Sequence, residues 1–218
     1  MKPFDILLLE CSPRMDATST RLGHRLLDAL RPRIDGKLRL TERRIGAEPL
    51  PPISAAYAES LLLPIGEARE CYGAELSLSD ELVSELERAD LLLIATPVHN
   101  FTIPAALKTW IDYVVRREVT FKSTPQGKVG LLRDRPTLVA VTSGGAMFRD
   151  PPQQPDFFRP YLHAALGVMG LNSVRFVQTT GLAFSDTPMN TVDTAVQAWL
   201  EEGLQQFTRT LRREAVTS

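Results

Sequence analysis

Leu91-Leu92-Leu93-Ile94-Ala95 is apolar at every position, and this run constrains the fold more than any other stretch of the chain. A strand with one wet face alternates apolar and polar side chains, whereas an unbroken apolar run belongs to a parallel strand covered on both faces. Past Thr96-Pro97-Val98-His99-Asn100-Phe101, the residues Ile103, Ala106, Leu107, Trp110, Ile111 and Val114 repeat at helical spacing. Thr102 is placed to cap that helix and Pro104 suits its first turn. Strand, short polar loop and helix therefore make one unit.

The same unit recurs along the chain. Strands are expected at Asp5 to Glu10, Lys37 to Ile45, Leu91 to Ala95, Pro136 to Ser143 and Ser173 to Thr180, the second being the most polar and suited to a sheet edge. Between them lie a helix over Thr20 to Arg31, one opened by the capping pattern Ser77-Leu78-Ser79-Asp80, and one lined by Phe158, Tyr161, Leu162, Ala165 and Met169. A last helix carries a stripe from Val192 through Val196, Trp199, Leu200, Leu204 and Phe207 to Leu211. Alternation of this kind predicts an α/β fold with a doubly wound, five-stranded parallel sheet and helices on both faces. With right-handed crossovers the flavodoxin-like strand order 2-1-3-4-5 leads. No internal repeat or linker divides residues 1–218, so a single domain is expected.

Three connections are longer than usual. Glu48 to Ala74 is expected to form short helices, and Val119 to Arg133 carries the turn signal Thr124-Pro125-Gln126-Gly127 between short extended runs. Phe148 to Pro160, with four prolines, reads as a stiff flap.

Bulk charge excludes some functions: 25 basic against 26 acidic residues leave −1, which gives no electrostatic case for nucleic acid or an anionic membrane. No apolar run approaches the roughly 20 residues of a membrane span, and Phe4 to Glu10 is too short for a signal-peptide core. Cys11 and Cys71 make neither a disulfide framework nor a zinc site, and His24, His99 and His163 lack zinc-like spacing. A cytoplasmic protein without a metal is expected.

In a doubly wound sheet the loops after strands one, three and four share one crevice. The first holds Ser12 and the run Thr18-Ser19-Thr20 at a helix start, where hydroxyls, backbone N–H groups and the helix dipole suit a phosphate. A single serine or threonine there would otherwise be read as a helix cap. Neither a G-x-x-x-x-G-K-S/T nor a G-x-G-x-x-G string is present. The third-strand loop offers Asn100, which donates and accepts, between the flat faces of His99 and Phe101. The fourth-strand loop, Ser143-Gly144-Gly145-Ala146, lets a flat ring come close to backbone amides. A phosphate cradle, ring-stacking side chains and an amide edge together fit flavin mononucleotide (FMN). The G-x-S-x-G elbow of a serine hydrolase is missing, and no side chain reads as an essential acid or base.

Pro97-Val98-His99-Asn100-Phe101-Thr102-Ile103-Pro104, then Leu107-Lys108-Thr109-Trp110-Ile111-Asp112 and Val119-Thr120-Phe121, resemble the FMN-dependent NADH-azoreductase/quinone reductase family. The likeness spans nearly the whole chain and includes the Ser/Thr loop, Ser143-Gly144-Gly145 and the turn Gly167-Val168-Met169-Gly170. It implies phosphate contacts at Ser12, Thr18, Ser19 and Thr20, and flavin-ring contacts at Pro97, Val98, His99, Asn100, Phe101 and Ser143 to Ala146. It further implies a noncovalent FMN, NADH or NADPH as co-substrate, and ping-pong hydride transfer to a quinone or azo compound. Phe121 and Phe158 are expected to shape the acceptor pocket. Relatives often carry Ser-Arg-Gly-Gly at Ser143 to Ala146 and tyrosine at His99. The resemblance and the exposed-looking Leu61-Leu62-Leu63 and Leu131-Leu132 together imply a homodimer. Two alternatives stay open: an NAD(P)H:FMN reductase that releases reduced flavin, and a flavodoxin-like electron carrier without enzymatic activity.

Overall fold

A computed structural model describes residues 2–34, 36–180 and 188–203. In chain order its elements are β1 (Phe4–Glu10), α1 (Thr18–Leu30), β2 (Leu38–Arg43), α2 (Ala55–Ser60), α3 (Ile65–Arg88), β3 (Leu91–Pro97) and α4 (Ala105–Val114). There follow β4 (Phe121–Thr124), β5 (Gly127–Gly130), β6 (Thr137–Thr142), α5 (Phe158–Met169), β7 (Val174–Thr179) and α6 (Pro188–Ala198). The main sheet runs β2-β1-β3-β6-β7 with every pair parallel, which is the expected 2-1-3-4-5 order once the β4–β5 hairpin is set aside.

Period-two alternation in the central strands divides the interior into two cores. Leu7, Leu9, Leu92, Ile94, Val139 and Val141 pack toward α3, α4 and α5. Ile6, Leu8, Leu93, Ala95, Leu138 and Ala140 pack toward α1 and α6. Residues Leu91 to Thr96 and all of β6 are buried, as an apolar run covered on both faces requires, while the edge strand β2 is only partly covered. Gly23 lets α1 lie close on the sheet, because a Cβ there would stand 2.7 Å from Ala95 Cβ.

Two local expectations give way to tertiary contacts. Ser77-Leu78-Ser79-Asp80 does not start a helix: α3 is continuous from Ile65, with a kink at Tyr72. Pro64 precedes its start, while Ser79 is buried and donates to the Tyr113 carbonyl at 2.6 Å, and Asp80 pairs with Arg116. Only part of the Glu48 to Ala74 insertion is therefore a separate short helix. Thr102 does not cap α4, whose N-cap is Pro104; it pairs with His99 instead through two backbone hydrogen bonds of 3.0 Å. The expected turn over Thr124 to Gly127 does close an antiparallel hairpin. The late part of the last helical stripe, Leu204 to Leu211, lies outside the described residues.

Candidate functional site

The carboxyl ends of β1, β3 and β6 open onto a cleft of about 470 Å³. Its walls come from the three loops that the sequence singles out. The first supplies Ser12, Arg14, Thr18 and Ser19; the second Pro97, Val98 and His99; the third Thr142 and Gly144.

On the first wall, α1 points its N-terminus at the cleft. Its N-cap is Ala17, which makes no side-chain capping bond, so the first-turn N–H groups have no side-chain acceptor there. Thr18 and Ser19 are the first helical residues rather than caps. Ser19 is 1% exposed, and its Oγ has no hydrogen-bond partner among the described residues. A buried hydroxyl left unpaired costs about 1–3 kcal/mol, so this group is disposed toward a ligand acceptor. Ser12 Oγ accepts from Arg14 N at 3.2 Å and keeps its own proton for donation. The loop after β2 braces this turn: Gly46 N donates to Glu10 O at 2.9 Å, and a Cβ on Gly46 would stand 2.3 Å from Ser12 backbone.

The second wall carries backbone strain. Asn100 and Phe101 have φ of +47° and +71°. Left-handed conformations cost about 1–2 kcal/mol per non-glycine residue, less for asparagine, and for phenylalanine they are uncommon. Several tethers hold the loop there: the His99–Thr102 pair, Val98 N to Thr142 O at 2.8 Å, and Phe157 N to Phe101 O at 3.2 Å. The turn leaves Asn100 exposed and Phe101 43% exposed. Neither lines the cleft itself; both stand at the loop tip beyond it.

On the third wall Ser143 is buried and its N–H reaches Thr179 O at 2.9 Å. Gly145 lies under the Gln154 side chain, whose Oε1 would stand 2.2 Å from a Cβ, and Ala146 O accepts from Gln153 N. The proline-rich segment thus folds back over this loop.

The remaining expected residues are placed differently. Thr20 is half-buried in α1 and does not line the cleft. Phe158 is fully buried, with its ring edge-on to Phe148 and Phe176, and Phe121 is buried in the hairpin beneath the Lys128 ammonium. Neither ring reaches the cleft. The adjacent Phe157 is 62% exposed, and its backbone N–H is bonded to the Phe101 carbonyl at the tip of the second loop. Arg14 and Thr142 line the cleft without having been singled out.

Behind the cleft, Glu10 is buried at the end of β1 and accepts from His24 Nε2 at 2.9 Å, with Arg44 Nε 3.3 Å away. Glu42 brings a third ligand atom within 4.8 Å of these, a grouping that spacing between histidines and cysteines does not show. Arg44 is the permanent cation set against the Glu10 carboxylate. Burial pushes the Cys11 thiol far above its ordinary range, so it is a neutral core group. A separate apolar groove of about 650 Å³ runs between α2, α4, α5 and the hairpin, with Leu61, Ile111, Val115, Tyr161 and Val168 among its walls. Among the described residues no helix is long and apolar enough to cross a membrane.

The family described as having a flavodoxin-like fold matches residues 5–202. The FMN-dependent NADH:quinone oxidoreductase 4 of Pseudomonas fluorescens is 46% identical over 200 residues, 91% of each chain. The chain belongs to the FMN-dependent NADH:quinone oxidoreductase family. A second member, FMN-dependent NADH:quinone oxidoreductase 2 of Cupriavidus pinatubonensis, is 43% identical over 82% of this chain and 86% of its own. Among solved structures, an azoreductase from Bacillus anthracis superposes with a TM-score of 0.77, covering 89% of this chain and 96% of its own at 23% identity. A B. anthracis FMN-dependent NADH-azoreductase in complex with FMN gives 0.74 at 22% identity over 89% and 97% of the two chains. At that identity the structures speak for the fold.

Proposed function

We propose that this protein is an FMN-dependent oxidoreductase that moves a hydride from NADH or NADPH to quinones, azo compounds or both. The observation that carries the reading is the buried, unpartnered Ser19 Oγ at the uncapped N-terminus of α1, facing a strand-end cleft. Ser12, Thr18 and Ser19 with the first-turn N–H groups would hold the phosphate. Val98, His99, Asn100 and Phe101 would border the ring, and the Ser143 to Ala146 backbone would present amides to its polar edge. Bound FMN supplies two-electron hydride chemistry that no side chain of the cleft offers.

The chain's own contribution is position and exclusion. The strained turn at Asn100 and Phe101 holds one wall still, and Gln154 and Phe157 carry the proline-rich segment onto the other loops. Donor and acceptor would use the same opening in turn, so double-reciprocal plots with NADH and a quinone should run parallel. Exposed Phe101 and Phe157, at the loop tip beyond the cleft, would meet an incoming acceptor first, whereas Phe121 and Phe158 are buried. A second copy of the chain would cover the apolar groove, giving a homodimer, and the cytoplasm fits its near-neutral charge of −1 and its free thiols.

The test is direct. Purified protein should carry about one FMN per chain and bleach on anaerobic addition of NADH, then recover colour on addition of a quinone. Protein that binds no flavin, or binds it without bleaching by either nicotinamide, would overturn the reading. Loss of the flavin on gel filtration after reduction would instead point to a reductase that releases it.

A further inference from the structure

We infer that Arg14 is a phosphate-binding residue that makes the cleft select a phosphorylated flavin over its unphosphorylated parent, an inference that rests on the FMN reading above. The hydroxyls of Ser12, Thr18 and Ser19 are neutral, and a phosphate monoester carries a charge of about −1.5 to −2 at pH 7. A guanidinium beside these groups adds a full positive charge to their dipoles. Arg14 lines the cleft beside these hydroxyls, and its guanidinium has no carboxylate partner among the described residues.

Its neighbours are not so placed. Arg21 stands 3.8 Å from Asp16, Arg39 pairs with Asp5, Arg43 with Glu81 and Glu85, and Arg44 with Glu10. The Arg14 backbone is fixed from both sides, its N–H bonded to Ser12 Oγ at 3.2 Å and its carbonyl accepting from Ala17 N at 3.4 Å. Ala17 then leaves the helix start uncapped where serine or aspartate would have closed it. The orphaned Ser19 Oγ, without a hydrogen-bond partner among the described residues although Ser19 lines the cleft, is the independent sign that an acceptor belongs here. A guanidinium fork matches the oxygens of a phosphate bidentately, which lysine cannot reproduce.

The experiment compares FMN with riboflavin, which differs by the phosphate alone. Wild type, Arg14→Gln and Arg14→Lys, each stripped of flavin, are titrated with both ligands by flavin-fluorescence quenching at low and high salt. Arg14→Gln should weaken FMN binding by about tenfold or more and riboflavin binding by less than about twofold, with Arg14→Lys between the two. The salt dependence of FMN binding should also flatten in Arg14→Gln. Equal losses for FMN and riboflavin would show that Arg14 only shapes the loop, and no loss for either would show that it faces solvent; each result overturns the inference. Wild type that binds neither flavin would overturn the functional reading itself.

Discussion

Replacing Ser19 by alanine should change the empty and the loaded protein in opposite directions. In the empty cleft the hydroxyl is buried without a partner, so its removal relieves a penalty of about 1 kcal/mol or more. For a chain of this length that raises the melting temperature by about 2–4 °C. With FMN present the same hydroxyl would bond a charged phosphate, and losing that bond costs about 1.5–3 kcal/mol, a weakening of about 10- to 150-fold. At FMN equal to 100 times the wild-type Kd, binding adds about 2.7 kcal/mol to wild type but only about 1.4 kcal/mol to a variant with a tenfold higher Kd. The apo gain and the holo loss then nearly cancel. Scanning calorimetry of both proteins with and without FMN, alongside a flavin titration, should show a stabilised apoprotein whose FMN-induced shift is about half that of wild type. A lower melting temperature for apo Ser19→Ala, or FMN affinity within about twofold of wild type, would refute the reasoning.

Asn100 can be separated into backbone and side chain: Asn100→Ala should lose about 1 kcal/mol of stability at its positive φ and about 1–3 kcal/mol of FMN affinity, whereas Asn100→Gly should keep the stability and still lose the affinity. FMN affinity unchanged from wild type in both variants would confine Asn100 to shaping the turn. Cys11 stays protonated in the fold while the unfolded thiol ionises above about pH 8.5, so the native state holds the extra proton and stability should fall by up to about 1.4 kcal/mol per pH unit between pH 8.5 and 10. Thermal unfolding across that window should show a shallower fall in Cys11→Ala, and iodoacetamide should label Cys71 but not Cys11 in the native protein. Val168→Asp, on the wall of the apolar groove, should halve the sedimenting mass, and an unchanged mass would place any dimer contact elsewhere.

The sheet was readable because β3 and β6 are apolar at nearly every position, a pattern that few alternatives satisfy. Helix starts were less so. Ser77 to Asp80 carries a local capping signal, yet Ser79 and Asp80 are engaged by Tyr113 and Arg116, partners more than thirty residues away. Phe158 illustrates a different limit. Its spacing to Leu162, Leu166 and Met169 marks it as core, and that periodicity outweighs its position in a proline-rich segment. Phe157, one residue earlier, is turned outward because Asp156 Oδ1 accepts from Phe158 N and Arg159 N, fixing where the helix begins. Arg14 escaped notice because a hydroxyl-rich helix start accounts for phosphate binding without a cation.

The cleft loops are ambiguous singly because each is held by the others. Local sequence gives no reason for Phe101 to adopt a left-handed conformation. The β6 carbonyl at Thr142 fixes Val98, and the proline-rich segment fixes Phe101 through Phe157. That same segment reaches back to Ala146 and covers Gly145, while the loop after β2 seats Gly46 against Ser12. Strain at Asn100 and Phe101 persists only because structure contributed by distant parts of the chain over-determines it. A rigid opening built this way suits a ligand that must be held flat while two different partners reach it in succession, which no single loop could specify.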